Sequence, residues 1–315
     1  MRILVLGAGA TGGYFGGRMV EAGCDVTFLV RPARAEKLRG TGLVVESPLG
    51  DIRRPVRAIT ADALAPDYDV VLLSCKAFDL DDAIAAIAPA MAAETKVLPV
   101  LNGMSHLDRL DDAFGAPAVL GGLCQIAATL APDGTVRHLN QTHALVFGHR
   151  SETQRAFCEQ LQASVSGAKI DVRRSDAIIQ DIWEKWVMLA TLAACTCLMR
   201  GSVGDIFAAP GGERFILATL DEAQAIATAN GHAVRPKQMG QVRTVLTERG
   251  SSLAASMLRD LEAGGLIEAD HIVGDLLRRG HEQGIETPLL RVAYVHLKAY
   301  EARRERLTEQ TSTTP

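Results

Sequence analysis

The first seventeen residues, MRILVLGAGATGGYFGG, constrain the fold of this chain more than any other stretch. Ile3 to Leu6 is an unbroken apolar run, which suits a parallel strand buried on both faces. The pattern G-x-G-x-x-G, Gly7 to Gly12, follows at once and opens a helix. Gly7 permits the tight turn, Gly9 lets the backbone approach a pyrophosphate, and Gly12 lets helix and strand pack closely. The backbone N–H groups of the first helical residues, Ala10, Thr11 and Gly12, then face an anion. Alone the pattern is weak. Between a strand and a helix it implies dinucleotide binding, the alternative being a glycine-rich turn with no ligand.

The second strand is expected over Asp25–Val30. A binder of NAD usually ends this strand with an acidic residue that holds the ribose 2′-OH. Here the residue is Arg31, nineteen after Gly12, with Arg34 near it. A cation there suits a 2′-phosphate, so NADP(H) is expected over NAD; a solvated surface arginine is the alternative. Further strands read as 68–74 and 96–101. Each ends in polar markers, Ser74 and Lys76 after the first, Asn102 and Gly103 after the second. Ligands of open α/β sheets bind beyond strand carboxyl ends, so these residues are expected to line one crevice. Pro99 is awkward inside a strand because it removes a ladder hydrogen bond. Gly122–Leu130, Thr135–Leu139 and Ala144–Phe147 read as antiparallel strands that extend the sheet.

From about Ser175 the periodicity turns helical, with segments at 177–199, 213–229, 236–248, 252–263, 268–279 and 288–306. Gly231 suits a helix stop, and Thr287-Pro288 a helix start. The expected fold is α/β: a Rossmann-type dinucleotide-binding domain over 1–174, an all-α C-terminal domain over 175–307, and a polar tail over 308–315. A substrate is expected in the cleft between the two domains. Within the first helical segment, Trp186 to Met199 carries no charge. That run is shorter than the ~20 apolar residues of a spanning helix, so it reads as a core helix with Lys185 at its rim.

Composition narrows the function. The chain has 315 residues, 22% charged, with a net charge of −4 and 4% aromatics. That argues against nucleic-acid binding, which calls for a basic face or stacking platforms. The N-terminus is a poor signal peptide, and no membrane partner is expected. The six cysteines include no C-x-x-C pair, which disfavours zinc and suits free thiols in a reducing cytoplasm.

The ordered motifs resemble the ketopantoate reductase (2-dehydropantoate 2-reductase) family. They are GAGATG at the N-terminus, SCKAF around Lys76, LNGM at 101–104, the W-x-K of Trp183–Lys185, SMLRDLEAG at 256–264 and IEAD at 267–270. The resemblance covers essentially the whole chain. It implies NADPH-dependent reduction of a 2-keto acid to a 2-hydroxy acid, 2-dehydropantoate to pantoate in pantothenate biosynthesis being the first expectation. It also implies roles: Lys185 as the catalytic lysine, Asn102 in contact with nicotinamide and substrate, Lys76 and the backbone of Ala128 on the cofactor, Ser256 on the substrate, and Glu268 at the nicotinamide end.

The chemistry is independent of the resemblance. Hydride arriving at a ketone carbon drives negative charge onto oxygen, which needs a proton and a cation nearby. A lysine at the mouth of an apolar helix can supply both, and partial burial would lower its pKa. The other reading of Lys185 is a lysine whose stem is packed and whose amine is in water. For Glu268 the other reading is an acid favoured by a helix N-terminus, and for Ser256 a helix-start residue.

The chain departs from the family pattern at four asparagine positions, occupied here by Leu189, Ala193, Val203 and Leu253. Loss of amide donors should weaken recognition of a hydroxyl-bearing substrate, so a less polar 2-keto acid or ketone is an alternative. An oxidatively run hydroxy-acid dehydrogenase and a non-catalytic NADP-binding sensor are further alternatives. The apolar faces of the C-terminal helices are compatible with a homodimer contact.

Overall fold

A computed structural model describes residues 1–312. The chain divides into two compact units, Met1–Leu101 with His106–Ile179, and Asn102–Ser105 with Gln180–Pro315. Residues 313–315 of the expected polar tail lie outside the described residues. The first unit is a parallel α/β assembly and the second is helical.

Ten strands and five helices build the first unit. The strands are β1 (Arg2–Leu6), β2 (Asp25–Leu29), β3 (Leu43–Glu46), β4 (Ile52–Arg54), β5 (Arg57–Ile59), β6 (Val70–Leu73), β7 (Lys96–Pro99), β8 (Gly121–Leu130), β9 (Val136–Gly148) and β10 (Asp171–Ser175). The helices are α1 (Ala10–Glu21), α2 (Pro32–Thr41), α3 (Leu80–Ile87), α4 (Ser105–Phe114) and α5 (Arg155–Val165). One sheet runs in the order β5-β2-β1-β6-β7, all parallel. Leu4, Val5, Val71 and Leu73 are fully buried in it, as strands covered on both faces require.

Of the three expected antiparallel strands the first is β8, whereas the other two are one continuous strand, β9; together they do not extend this sheet. Val119 bridges to Val97 of β7, and the chain then departs into a second sheet, ordered β10-β9-β3-β4 with β8 paired to β9. Pro99 fits because the N–H groups of Lys96 and Val100 donate toward Asp69 and Leu73. Alternation then turns the nitrogen of residue 99 away from β6, where no ladder bond is missed.

Helix α1 lies against both sheets, and its glycines explain how. A Cβ on Gly16 would meet the Phe28 ring at 2.7 Å, whereas one on Gly17 would meet Leu43 at 2.9 Å and one on Gly13 would meet Val136 at 2.8 Å. Residues 12 and 16 thus form one flush stripe against the parallel sheet, and 13 and 17 another against the second sheet. The i,i+4 spacing of the helix keeps each stripe on one face.

In the helical unit are α6 (Ile178–Met199), α7 (Val203–Ala208), α8 (Gly212–Ala229), α9 (Pro236–Leu246), α10 (Ser256–Glu262), α11 (Asp275–Glu282) and α12 (Pro288–Ser312). Helix α7 escapes the periodicity because it is short; Ser202 and Asp205 start it with a reciprocal capping box. The segment read as one helix from 268 opens with a π-helical turn, Asp270–Gly274, before α11. Helix α12 continues past 306, the end of its expected span, to Ser312.

By length and composition α6 could cross a membrane, but 72% of its most apolar window is buried inside the protein. Segments from across the unit pack on it: Arg235 on Glu184, Ala255 on Thr196, Ile272 on Trp186. This is the environment of a core helix. Burial also pushes the Cys195 and Cys197 thiols of α6 up to about 12, as befits inert core cysteines.

Candidate active site

The glycine-rich loop has the shape a pyrophosphate needs. Gly7 has φ +82°, and its N–H donates to Leu29 O, turning the chain sharply out of β1. A Cβ on Gly7 or Gly9 would meet nothing within 4 Å, so this face of the loop is open. A Cβ on Gly12 would lie 2.6 Å from Gly7 O and 2.7 Å from Ser74 Oγ, so helix, loop and the end of β6 touch there. Gly9 precedes α1 without any side-chain cap, which leaves the first amides, Ala10 and Thr11 included, directed at an incoming anion. Open glycines and an uncapped helix start fit a dinucleotide.

The two arginines after β2 part company. Arg31 is exposed, and its guanidinium makes no hydrogen bond or ion pair among the described residues. Arg34 is half-buried and donates to Ala8 O at 2.8 Å and Gly134 O at 2.9 Å. It ties the glycine loop to the β8–β9 turn, and burial lowers its pKa. Lys76 is half-buried just beyond β6, at the start of a short 3-10 turn. Ala128 stands immediately after the bulge in β8, opposite His138.

The remaining expected site residues lie in the helical unit. Lys185, one side of its helix buried, sends Nζ to Asn102 Oδ1 at 2.9 Å. Trp186, next in sequence and 1% exposed, donates its indole N–H to Ile272 O at 2.9 Å, inside the π-helical turn. The next residue to contribute was missed in the sequence. His271 Nε2 contacts the backbone carbonyl of Asn102, and its Nδ1 lies 2.8 Å from Ser105 Oγ. A carbonyl only accepts, so Nε2 carries the proton and the neutral ring accepts from Ser105. Gly103, φ +77°, lies flush on this histidine: a Cβ there would meet His271 O at 2.8 Å and the ring at 3.0 Å. Burial holds His271 below the ordinary imidazole range, against the pull of Glu268, the Asn102 carbonyl and Asp275. Glu268 is 7% exposed and sits in the segment that enters the π turn. The only sequence signal for His271 was its place three residues after Glu268.

Lys185, Asn102, His271 and Trp186 therefore close a ring of hydrogen bonds through α6, the loop 102–105 and the π turn. Ser256 is not part of it. It is the first residue of α10, and the N–H of Ala255 before it donates to Thr196 Oγ1. Thr196 is eleven residues beyond Lys185 on α6, about 16 Å along the axis. Of the four positions that lack the family's asparagines, Ala193 is 0% and Val203 2% exposed, packed in the core. Leu189 and Leu253 are half-buried.

Comparison with known proteins supplies the family. Residues 3–152 match ketopantoate reductase PanE/ApbA, and residues 177–301 match ketopantoate reductase PanE/ApbA C terminal. The chain belongs to the ketopantoate reductase family. An uncharacterized oxidoreductase YkpB of Bacillus subtilis (strain 168) is 35% identical over 96% of this chain and 100% of its own length. A 2-dehydropantoate 2-reductase of Nostoc sp. is 25% identical over 95% of each chain. A solved ketopantoate reductase of the PanE/ApbA family from Ralstonia eutropha JMP134 superposes with TM-score 0.86 at 27% identity, covering 97% of this chain and 100% of that one. The protein is thus an oxidoreductase of a family that works on small keto acids with a nicotinamide dinucleotide.

Proposed function

We propose that this ketopantoate reductase family member reduces a 2-keto acid to a 2-hydroxy acid with NADPH, 2-dehydropantoate being the first candidate substrate and Lys185 the general acid. The observation that carries the reading is the Lys185 Nζ–Asn102 Oδ1 hydrogen bond. The amide oxygen gives the ammonium, a donor only, a fixed direction. The amide nitrogen of Asn102 is a second donor beside it.

The cofactor supplies the hydride. Gly7, Gly9, Ala10, Thr11 and Gly12 would hold its pyrophosphate, Arg31 its 2′-phosphate, and Lys76 and Ala128 further parts of it. As charge builds on the ketone oxygen, Lys185 stabilises it and then protonates it, which is worth about 10²–10⁴-fold in rate. Glu268 and Ser256 are assigned supporting roles, at the nicotinamide end and on the substrate.

A second reading concerns substrate polarity. Leu189 stands one turn after Lys185 on α6, and Leu253 is half-buried where an amide would serve a hydroxyl. These side chains favour a less polar 2-keto acid. The test is NADPH oxidation by the purified protein with 2-dehydropantoate beside a panel of alkyl and aryl 2-keto acids. Efficient turnover of 2-dehydropantoate would overturn the second reading. Absence of turnover with every 2-keto acid would overturn the first and leave a cofactor-binding sensor.

A further inference from the structure

The buried imidazole of His271 has no part in the chemistry so far described, yet it touches the loop that carries Asn102 at three points. Its Nε2–H meets the Asn102 carbonyl, its Nδ1 meets Ser105 Oγ at 2.8 Å, and its ring lies against Gly103. It is 9% exposed, so it cannot trade these partners for water. Its own backbone neighbour, Ile272, is held by Trp186, the residue beside Lys185. The ring is therefore fixed relative to α6 from one side and fixes the loop from the other.

We propose that His271 is a positioning residue: its Nε2–H holds the main chain of Asn102 so that the amide side chain meets Lys185. Ser105 acts one step further out, by keeping the proton on Nε2. The proposal rests on the reductase reading above. Its physical basis is geometric. A catalytic group displaced by about 1 Å can lose about 100-fold in rate even where no bond to the substrate is removed.

Two amide variants separate positioning from simple packing. In His271→Gln the amide nitrogen takes the place of Nε2 and can still donate to the Asn102 carbonyl. In His271→Asn the shorter side chain takes the place of Nδ1 and reaches only Ser105. The measurements are kcat and KM with NADPH and the best 2-keto acid, melting temperature, and amide hydrogen exchange of the segment 101–107. The expected result is a Gln variant within a few-fold of the parent. The Asn variant should lose about 100-fold in kcat, with KM for NADPH little changed and exchange in 101–107 accelerated.

Equal kcat and equal exchange in the two variants would overturn the proposal, as would a loss that follows melting temperature alone. Should the parent protein turn over no 2-keto acid, the reductase reading fails by itself. The exchange difference between the Gln and Asn variants still decides the role of His271.

Discussion

Lys185 Nζ donates to Asn102 Oδ1 at 2.9 Å across 83 residues of sequence. The contact joins a lysine at the rim of the core helix to a loop residue three positions past β7 in the chain. It gives the amine a fixed direction, which a lysine with its head in open water lacks. Position 185 is therefore the first to be tested.

Lys185→Ala should lower kcat by about 10²–10⁴-fold, the range of a lost general acid. NADPH binding, followed by cofactor fluorescence, should stay close to that of the parent, because the phosphate-holding residues belong to the glycine loop. Lost binding together with lost turnover would instead mark Lys185 as a cofactor ligand.

Gly9 and Gly12 should respond oppositely to alanine. At Gly12 the new Cβ meets backbone at 2.6 Å, so the helix must shift, at a cost of about 1–3 kcal/mol in stability. At Gly9 the Cβ meets nothing, and the backbone angle of −83° accepts alanine. Gly9→Ala should keep its melting temperature but bind NADPH at least about tenfold more weakly, ~1.4 kcal/mol, because the methyl occupies the approach to the phosphate. Thermal melts and cofactor titrations of both variants check the contrast.

This contrast also shows why some of the molecule was legible in the sequence. The demands on Gly7, Gly9 and Gly12 are local, set by one turn and one close packing, so a six-residue pattern reports them. The partner of a strand is not local. Strand and turn residues over 122–147 announced antiparallel strands, but pairing of β9 with β3 and β10 is decided by chain segments far away, and the second sheet was read as an extension of the first. His271 was hidden for the same reason, since its partners Asn102 and Ser105 are 169 and 166 residues distant. The sequence singled out Arg31 and noted Arg34 only as near it; the coordinates show Arg31 exposed and Arg34 tied to two carbonyls.

Those two arginines give the third prediction. Arg31→Ala should weaken NADPH by about 10- to 100-fold, the worth of a charge-assisted hydrogen bond to phosphate, and leave NADH unchanged. Arg34→Ala frees the carbonyls of Ala8 and Gly134. It should weaken both cofactors alike, because it loosens the loop and touches no feature that distinguishes them. Parallel titrations with the two cofactors decide. Equal effects of Arg31→Ala on NADPH and NADH would remove it as the 2′-phosphate ligand.

The last prediction concerns the residue before Lys185. Glu184 is 3% exposed and is met by Arg235 through its backbone N–H at 2.8 Å, Nε at 2.7 Å and Nη2 at 2.5 Å. Burial alone would raise its pKa, but these bonds and one from Gln180 hold it below the ordinary 4.5. A carboxylate with a depressed folded pKa contributes stability above its unfolded pKa and loses that contribution as pH falls through the folded value. Arg235→Leu removes the side-chain donors and should cost about 2 kcal/mol at pH 7, a figure that allows for the solvent screening of the half-exposed guanidinium. The deficit should shrink as pH falls through the carboxylate range and vanish once pH is below the depressed folded pKa of the parent, where Glu184 is protonated in parent and variant alike and the charged pair no longer exists. Thermal melts across pH 3 to 8 would show the two stability curves converging on the acid side; a constant gap would mean that Arg235 acts through its aliphatic stem and not through the charge of Glu184.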